Sequence, residues 1–152
     1  MYWRQPSPKA FEGAKGAGNR AAFEALVTSG RATGILAFEG DAAVGWCSVG
    51  PRADFPRVVN HRSLGREAPA GTWSVNCFYI PARRRGQGVA SVLLDAAVTF
   101  ASEQGATEIE AYPVTPNAGK VPAAFAWTGV DAMFEKAGFR RLEREGRAIW
   151  VR

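Results

Sequence analysis

The segment best suited to chemistry in this 152-residue chain is basic and contains two glycines. It reads Arg83-Arg84-Arg85-Gly86-Gln87-Gly88, and it joins an apolar stretch to the start of an amphipathic helical pattern. The first amides of a helix have no partner within the helix, and together with the helix dipole they attract phosphate groups. Glycine allows the backbone to approach a phosphate closely, and arginine adds charge and bidentate hydrogen bonds. The segment therefore predicts a site for a ligand that carries a pyrophosphate.

The spacing alone leaves a second interpretation open, in which the segment is a tight strand-to-helix turn with a solvated basic face. The P-loop pattern is absent because no Gly-Lys-Ser or Gly-Lys-Thr follows the turn. The dinucleotide-binding pattern is incomplete, since Ser91 stands where its third glycine is expected. Neither of these two phosphate-binding signatures identifies the ligand.

The charge and cysteine content limit the partners of the chain. The 19 Lys and Arg residues, against 14 Asp and Glu, give a net charge of +5, which favours polyanionic partners from nucleic acids to nucleotide cofactors. Tyr79 alone provides an aromatic ring near the basic run, and this disfavours a nucleic-acid-binding role. Cys47 and Cys77 show no CxxC spacing and the chain has one histidine, so we expect two buried free thiols and no metal site.

The hydropathy pattern predicts a soluble, cytoplasmic protein. No apolar run approaches the ~20 residues of a membrane-spanning helix. The first six residues lack the apolar stretch of a secretory signal. Hydrophobic residues make up 47% of the chain and charged residues 22%, which is typical of a globular domain and excludes a disordered or fibrous one.

Helical and strand patterns alternate along the chain, which predicts a single mixed α/β domain over residues 1–152. Residues 1–30 are predicted to be a short, partly irregular lead-in, and residues 51–72 a lid-like excursion that contains a short amphipathic helix. The regular elements are expected at 35–38 and 42–49 (a hairpin), 73–80 (a strand), 88–103 (a helix), 107–114 (a strand), 129–137 (a helix) and 139–151 (a hairpin with its turn at Glu145-Gly146).

Two motifs in this order resemble those of the GNAT superfamily of N-acetyltransferases. The pattern Arg83-x-x-Gly86-x-Gly88, followed by Val89-Ala90, is similar to the acetyl-CoA signature of that family. The later segment Phe134-Glu135-Lys136-Ala137-Gly138-Phe139 is similar to its second motif. The resemblance extends from about Ile35 onward, and it implies an α/β GNAT fold with a mixed, mostly antiparallel central sheet flanked by helices.

The resemblance also implies acetyl-CoA as co-substrate, with no metal. Backbone groups of the strand before the turn would bind the pantetheine arm, the turn amides would bind the pyrophosphate, and Arg83 or Arg84 would reach the 3′-phosphate. The residues expected at the cofactor are Phe78, Ile80, Arg83, Arg84, Arg85, Gly86, Gln87, Gly88, Val89 and Ala90.

The catalytic groups are less well marked than the cofactor site. Glu110 is the first candidate for a general base, with Tyr112 on the same face of its strand, and His61 is a second candidate. The alternative is that Glu110 is a surface carboxylate of its strand, beside a packing tyrosine. Phe134 stands where many family members have a tyrosine that protonates the departing CoA thiolate, so Tyr112 or water would have to supply that proton.

The acceptor is expected to be a primary amine of a small molecule or peptide that attacks the thioester directly, without a covalent enzyme intermediate. Phe55, His61 and Trp73 are expected to line its pocket, and the alternative is a solvated basic loop over the core. The sequence leaves open a homodimer and a different function, that of a non-catalytic acyl-CoA-binding or regulatory module.

Overall fold

One mixed sheet of six β-strands runs through the protein in a computed structural model that describes residues 1–114, 126–142 and 148–152. The strands are β1 (Gly34–Glu39), β2 (Ala42–Pro51), β3 (Thr72–Tyr79), β4 (Glu108–Ala111), β5 (Arg140–Arg141) and β6 (Trp150–Val151). Their order in the sheet is β1-β2-β3-β4-β6-β5, and neighbours are antiparallel except β3 and β4, which are parallel. The predicted α/β class with a mostly antiparallel sheet is confirmed. The turn predicted at Glu145-Gly146 lies outside the described residues.

Helices accompany this sheet in the described part of the chain. They are α1 (Pro8–Gly13), α2 (Ala17–Thr28), α3 (Pro56–Val59), α4 (Val89–Glu103) and α5 (Asp131–Lys136), with 3-10 turns at Arg52–Asp54, Ala82–Arg84 and Ala126–Thr128. The longest, α4, connects β3 to β4 and packs on the sheet through apolar side chains at helical spacing. Its buried residues are Leu93, Leu94, Ala97, Val98 and Ala101.

The two parallel strands at the centre of the sheet separate part of the way along. β3 and β4 are paired from Thr72 with Glu108 to Val75 with Ala111, and β3 then continues to Tyr79 without β4 beside it. The chain after β4 next forms a parallel bridge between Val114 and Val130. The separation opens a gap in the sheet, with the second half of β3 at its edge.

A β-bulge lies in β3 at the beginning of this gap. Val49 of β2 is paired with Val75, and Ser48 is paired with Cys77, so Asn76 between them has no opposite residue. An extra residue shifts the alternation of side chains by one position. For this reason Val75 and Phe78 both belong to the core beneath α4, whereas Cys77 lies on the opposite face.

The N-terminal residues contribute to a second, aromatic core on the other side of the sheet. Residues 1–7 and 14–16 lie outside the helices α1 and α2. Trp3 is 4% exposed, and its indole Nε1 donates a hydrogen bond to the carbonyl oxygen of Asn76 at 2.9 Å. Tyr2 makes edge-to-face contacts with Trp3 and Phe11. The many glycine, proline and lysine residues of this segment conceal the few aromatic rings that fix it.

The excursion over residues 51–72 packs against that aromatic core. Its side chains Phe55, Val58 and Leu64 are buried there, together with Trp3 and Tyr112. The amphipathic helix predicted in this region is the single turn α3. The excursion is therefore a bound flank of the sheet, which does not favour its predicted function as a lid.

We expect Trp3→Ala to lower the free energy of unfolding by about 3–5 kcal/mol, because it removes a buried indole and its hydrogen bond. Urea denaturation followed by circular dichroism measures this loss. Phe38→Ala is the control, since the Phe38 side chain on β1 is 60% exposed and its loss should cost within about 0.5 kcal/mol. Equal losses in the two variants would contradict a structural role for the N-terminal segment.

Candidate active site

A glycine turn leads into the long helix α4. Gly86 and Gly88 have φ values of 74° and 81°, in the left-handed region that other residues avoid, and Gly88 is the N-cap of α4. No side chain of the described residues caps the first amides of this helix. A Cβ atom on either glycine would meet no atom within 4 Å, so the space in front of these amides is open.

A cleft of about 620 Å³ extends from this turn along the free edge of β3. On one side it is lined by Phe78, Tyr79, Ile80, Arg84, Arg85, Gly86, Gly88, Val89, Ala90 and Ser91, and on the other side by Ala126, Trp127, Gly129, Val130 and Met133. Of the residues predicted to bind the cofactor, the cleft contains all except Arg83 and Gln87. The side chain of Gln87 instead donates to the carbonyl oxygen of Arg83 at 2.9 Å.

Two arginines bring positive charge to the cleft, and both are held in place. Arg85 Nε donates to the carbonyl oxygen of Ile80 at 3.0 Å. Both terminal nitrogens of Arg84 bind the carboxylate of Glu39 on β1, with Nη1 at 3.1 Å. The charge of Arg84 is thus shared with Glu39, and Arg85 adds a guanidinium group to the cleft near the uncapped start of α4, where a phosphate group is favoured.

A second cavity, of about 450 Å³, lies next to the bulge of β3. Its lining is mostly aromatic and consists of Met1, Tyr2, Trp3, Arg4, Phe11, Phe23, Trp46, Ser48, Phe55, Asn76, Cys77 and Trp127. Trp127 also lines the first cleft. Because β3 passes from Asn76 and Cys77 in this cavity to Phe78 in the cleft, the two spaces adjoin at one point of the strand.

The carboxylate of Glu110 is fully buried and bound by three donors. Arg52 Nε lies 2.8 Å from Oε2, Arg66 Nε lies 2.5 Å from Oε1, and the Tyr112 hydroxyl donates to Oε2 at 2.6 Å. The Tyr112 oxygen is also 2.8 Å from Ser74 Oγ. Burial raises the pKa of Tyr112, and the charge of Glu110 raises it further, so this phenol keeps its proton.

Glu110 and Tyr112 are therefore brought together, but they are not among the described residues that line either cavity. Both carboxylate oxygens of Glu110 are already occupied by hydrogen bonds from guanidinium groups or from the Tyr112 hydroxyl. Their catalytic role stays a prediction. The surface position given to Glu110 in the alternative is wrong, because its side chain is fully buried, and this geometry suits a structural role of the pair at β4.

The three residues expected at the acceptor separate in the structure. Phe55 lines the aromatic cavity. Trp73 faces the opposite way and packs against Phe100 of α4, with ring centroids 5.8 Å apart. His61 lines neither cavity, and its Nδ1 accepts a hydrogen bond from the backbone of Ser63 at 3.1 Å. Side chains alternate between the two faces of β3 before the bulge, so Trp73 lies on the same face as Val75, towards α4.

Sequence reasoning missed most of the aromatic cavity, above all Trp3, Arg4, Asn76 and Trp127. The one available signal was the pair Tyr2-Trp3, because two large aromatic residues are unusual in a segment without a core. Phe134, identified as the replacement for the family's tyrosine, is fully buried between the rings of Phe78 and Phe139.

The described residues give no sign of a metal centre or of a membrane span. No group of three or more His, Cys, Asp or Glu side chains in residues 1–114, 126–142 and 148–152 is arranged to hold a metal ion. Within the same ranges, no helix has both the length and the apolar character needed to cross a bilayer.

We expect Glu110→Ala to lower the free energy of unfolding by about 3 kcal/mol, because it leaves the buried Arg52 guanidinium without its counter-charge, whereas Arg66 keeps its ion pair with Glu108. Equilibrium urea denaturation at pH 7 measures the loss. The matched control is Glu39→Ala, which removes an exposed partner of Arg84 and should cost less than about 1 kcal/mol. A small loss for Glu110→Ala would argue against its structural role and revive the general-base hypothesis.

Burial raises the pKa of the Cys77 thiol to about 11, which predicts slow alkylation at neutral pH. At pH 7 the reactive thiolate is then on the order of one molecule in 10,000, and the rate should rise about tenfold per pH unit as the pH approaches 11. Iodoacetamide labelling with mass spectrometry measures this profile, and Cys77→Ser identifies the labelled site. Rapid labelling of Cys77 at pH 7 would instead indicate an activated thiol.

Comparison with known proteins agrees with this architecture. The model of the acetyltransferase (GNAT) family matches residues 2–125, and the curated proteins contain no match. An N-acetyltransferase from Staphylococcus aureus Mu50 is 18% identical, with 89% of this chain and 74% of that chain covered and a TM-score of 0.55. PaiA N-acetyltransferase from Thermoplasma acidophilum, in complex with coenzyme A, is 15% identical. The match covers 96% of this chain and 79% of that chain, with a TM-score of 0.57.

A third structure of the same fold is a GNAT superfamily phosphinothricin acetyltransferase (Pat) from Sinorhizobium meliloti in complex with AcCoA. It is 16% identical to this chain, with 99% of this chain and 74% of that chain covered and a TM-score of 0.56. At these identities the three structures show a common fold. The family model covers most of the sequence, and the protein therefore belongs to the GNAT family of acetyltransferases.

Proposed function

We propose that the protein transfers an acetyl group from acetyl-CoA to a primary amine of a small molecule or peptide. The observation that carries this proposal is the meeting of two cavities at Trp127 and β3, one with a glycine turn and the other with aromatic walls. Two structures of the same fold contain coenzyme A or acetyl-CoA, which supports the choice of co-substrate. The cleft would hold acetyl-CoA, and the aromatic cavity would hold the amine.

The residues of the cleft fit the chemical groups of acetyl-CoA. The open space at Gly86 and Gly88 allows a pyrophosphate to reach the amides of α4. Arg84 and Arg85 supply positive charge at the same end. The edge of β3 beyond Val75 has no neighbouring strand among the described residues, so its backbone groups suit a pantetheine arm.

Acetyl-CoA supplies the acetyl group as a thioester, and the amine must attack it as the neutral base. Freeing an alkylamine with a pKa near 10.4 at pH 7 costs about 4–5 kcal/mol. The described lining of the aromatic cavity contains no carboxylate that could accept this proton. The cavity favours the neutral amine in another way, because apolar walls and the charge of Arg4 both disfavour a cation.

An amine that already lies in this cavity illustrates the effect. Burial lowers the pKa of the Met1 α-amino group, which lies in this cavity. The charge of Arg4 lowers this pKa further, and interaction with Cys77 raises it. We infer that exclusion of water and alignment of the two substrates contribute more to the reaction than a dedicated general base.

The departure of CoA does not depend on Phe134. A thiol with a pKa near 8.5 is a good leaving group, so it can depart as the thiolate and take up a proton from water. Direct transfer is favoured over a covalent intermediate on Cys77, since the pKa of that thiol is raised to about 11 by burial.

We expect Gly88→Ala to weaken acetyl-CoA binding by about tenfold or more, because it constrains the turn and places a methyl group in front of the α4 amides. Isothermal titration calorimetry with acetyl-CoA measures the affinity. Gly105→Ala is the matched control: Gly105 follows the other end of α4, has the same φ of 81°, and likewise has no atom near its Cβ position. Each substitution should cost about 1–2 kcal/mol of stability, and only the first should affect binding.

The same titration separates the proposal from its rivals. Absence of saturable acetyl-CoA binding by the unmodified protein would overturn the proposal. Tight binding without turnover of any primary amine would support a non-catalytic acyl-CoA-binding module. Similar losses of affinity in the two glycine variants would show that the turn at Gly88 has no special part in binding.

A further inference from the structure

The aromatic cavity carries one positive side chain and no negative one among its described residues. Most of its wall is formed by Tyr2, Trp3, Phe11, Phe23, Trp46, Phe55 and Trp127. A site for a polyamine or a lysine side chain would need carboxylates to balance the charge of the ligand. The lining therefore suits a compact acceptor with an apolar or aromatic body.

Arg4 lines this cavity, and its guanidinium carbon lies 4.5 Å from the ring centroid of Phe55, another residue of the cavity wall. Its side chain is 7% exposed, and Nη1 contacts Asp54 Oδ2 at 3.4 Å and the carbonyl oxygen of Arg31 at 3.3 Å. Nη2 is buried and has no hydrogen-bond partner among the described residues. A Cβ atom on Gly50 would lie 3.5 Å from this Nη2 and 3.6 Å from Phe55 Cζ, which locates the nitrogen beside a ring of the cavity wall.

Asn76 offers a second set of unused polar atoms. It is the bulged residue of β3 and 1% exposed, and both Nδ2 and Oδ1 lack a partner among the described residues. A carboxamide provides two donor hydrogens and an acceptor oxygen, so it can accept a hydrogen bond from an amine. β-Bulges redirect side chains in this way beside active sites.

The two anchors are separated by a short distance along the sheet. Gly50, beside Arg4 Nη2, is paired with Ser74, which precedes Asn76 by two residues on β3. The rise of an extended strand puts Ser74 and Asn76 roughly 7 Å apart along β3. Arg4 Nη2, next to β2, and Asn76, on the neighbouring strand β3, therefore belong to one region of the sheet.

We propose that the acceptor is an apolar or aromatic α-amino acid, with its carboxylate on Arg4 and its amine at Asn76. This inference rests on the proposed acetyl transfer and specifies its substrate class. The amino nitrogen forms a bond to the acetyl carbonyl carbon, and the C–S bond of acetyl-CoA breaks. CoA leaves as the thiolate, one proton of the amine is released, and the product is an N-acetyl amino acid.

The test compares L-phenylalanine with 2-phenylethylamine, which differs only by lacking the carboxylate, and with spermidine. Product formation by mass spectrometry should give a kcat/KM about tenfold or more higher for L-phenylalanine than for 2-phenylethylamine. Arg4→Gln should remove this preference, chiefly through a higher KM for L-phenylalanine. Equal or better use of 2-phenylethylamine or spermidine by the unmodified protein would overturn the inference.

Asp54→Asn is the matched control for Arg4→Gln. It breaks the same ion pair but leaves Arg4 Nη2 in place, so the preference for L-phenylalanine should persist. Loss of the preference in Asp54→Asn would mean that Arg4 acts through the fold. Far-ultraviolet circular dichroism of both variants checks that they are folded.

Acetyl-CoA titration of the unmodified protein distinguishes the two levels of the proposal. If acetyl-CoA does not bind, the acetyl transfer and its substrate class both fail. If acetyl-CoA binds and L-phenylalanine is not acetylated, only the assignment of the acceptor fails. Quenching of tryptophan fluorescence by L-phenylalanine, weakened in Arg4→Gln, provides a binding measurement that does not depend on turnover.

Discussion

The buried ion pair network around Glu110 is the interaction on which the site depends. Arg52 and Arg66 come from the excursion that follows β2, and both bind the carboxylate of Glu110 on β4, while Arg66 also binds Glu108 of the same strand. Placing charges in the interior is costly unless each is paired, so the network fixes where the excursion and β4 meet. β3 and β4 separate one residue beyond Glu110. The carboxylate that resembled a catalytic base in the sequence thus anchors the strand from which the gap opens.

A single strand, β3, serves both cavities because of its bulge. If β3 had no bulge at Asn76, strict alternation from Val75 would direct Phe78 away from the core beneath α4 and Cys77 into it. With it, the strand presents Cys77 and Asn76 to the aromatic side and still buries Phe78 under the helix. Trp3 secures the bulge by binding the carbonyl oxygen of Asn76, so the N-terminal segment helps to form the site.

Features whose residues are close together in the sequence could be predicted, and features whose residues are far apart in the sequence could not. The glycine turn was predicted together with the strand and helix on either side, because all its determinants lie within a few consecutive residues. The roles of Trp3 and Glu110 depend on partners up to 73 positions away, and no local pattern carries that information. Trp73 is expected at the acceptor pocket from the sequence, but pairing with β2 and β4 directs it towards Phe100. At the N-terminus the pair Tyr2-Trp3 indicates burial, but no local pattern identifies the distant residues with which it encloses a cavity.

Trp127 forms part of the wall of both the cleft and the aromatic cavity. Its indole also touches the rings of Tyr2 and Trp3, at centroid distances of 5.4 and 5.6 Å. A ligand that moves this side chain on one side alters the surface that the second ligand meets. Thermodynamic linkage makes such an influence mutual, so the affinities of the two sites are properties of the pair. Because Trp127 is a wall of both spaces, binding of a molecule in the cleft would influence how long a molecule stays bound in the aromatic cavity, and the reverse.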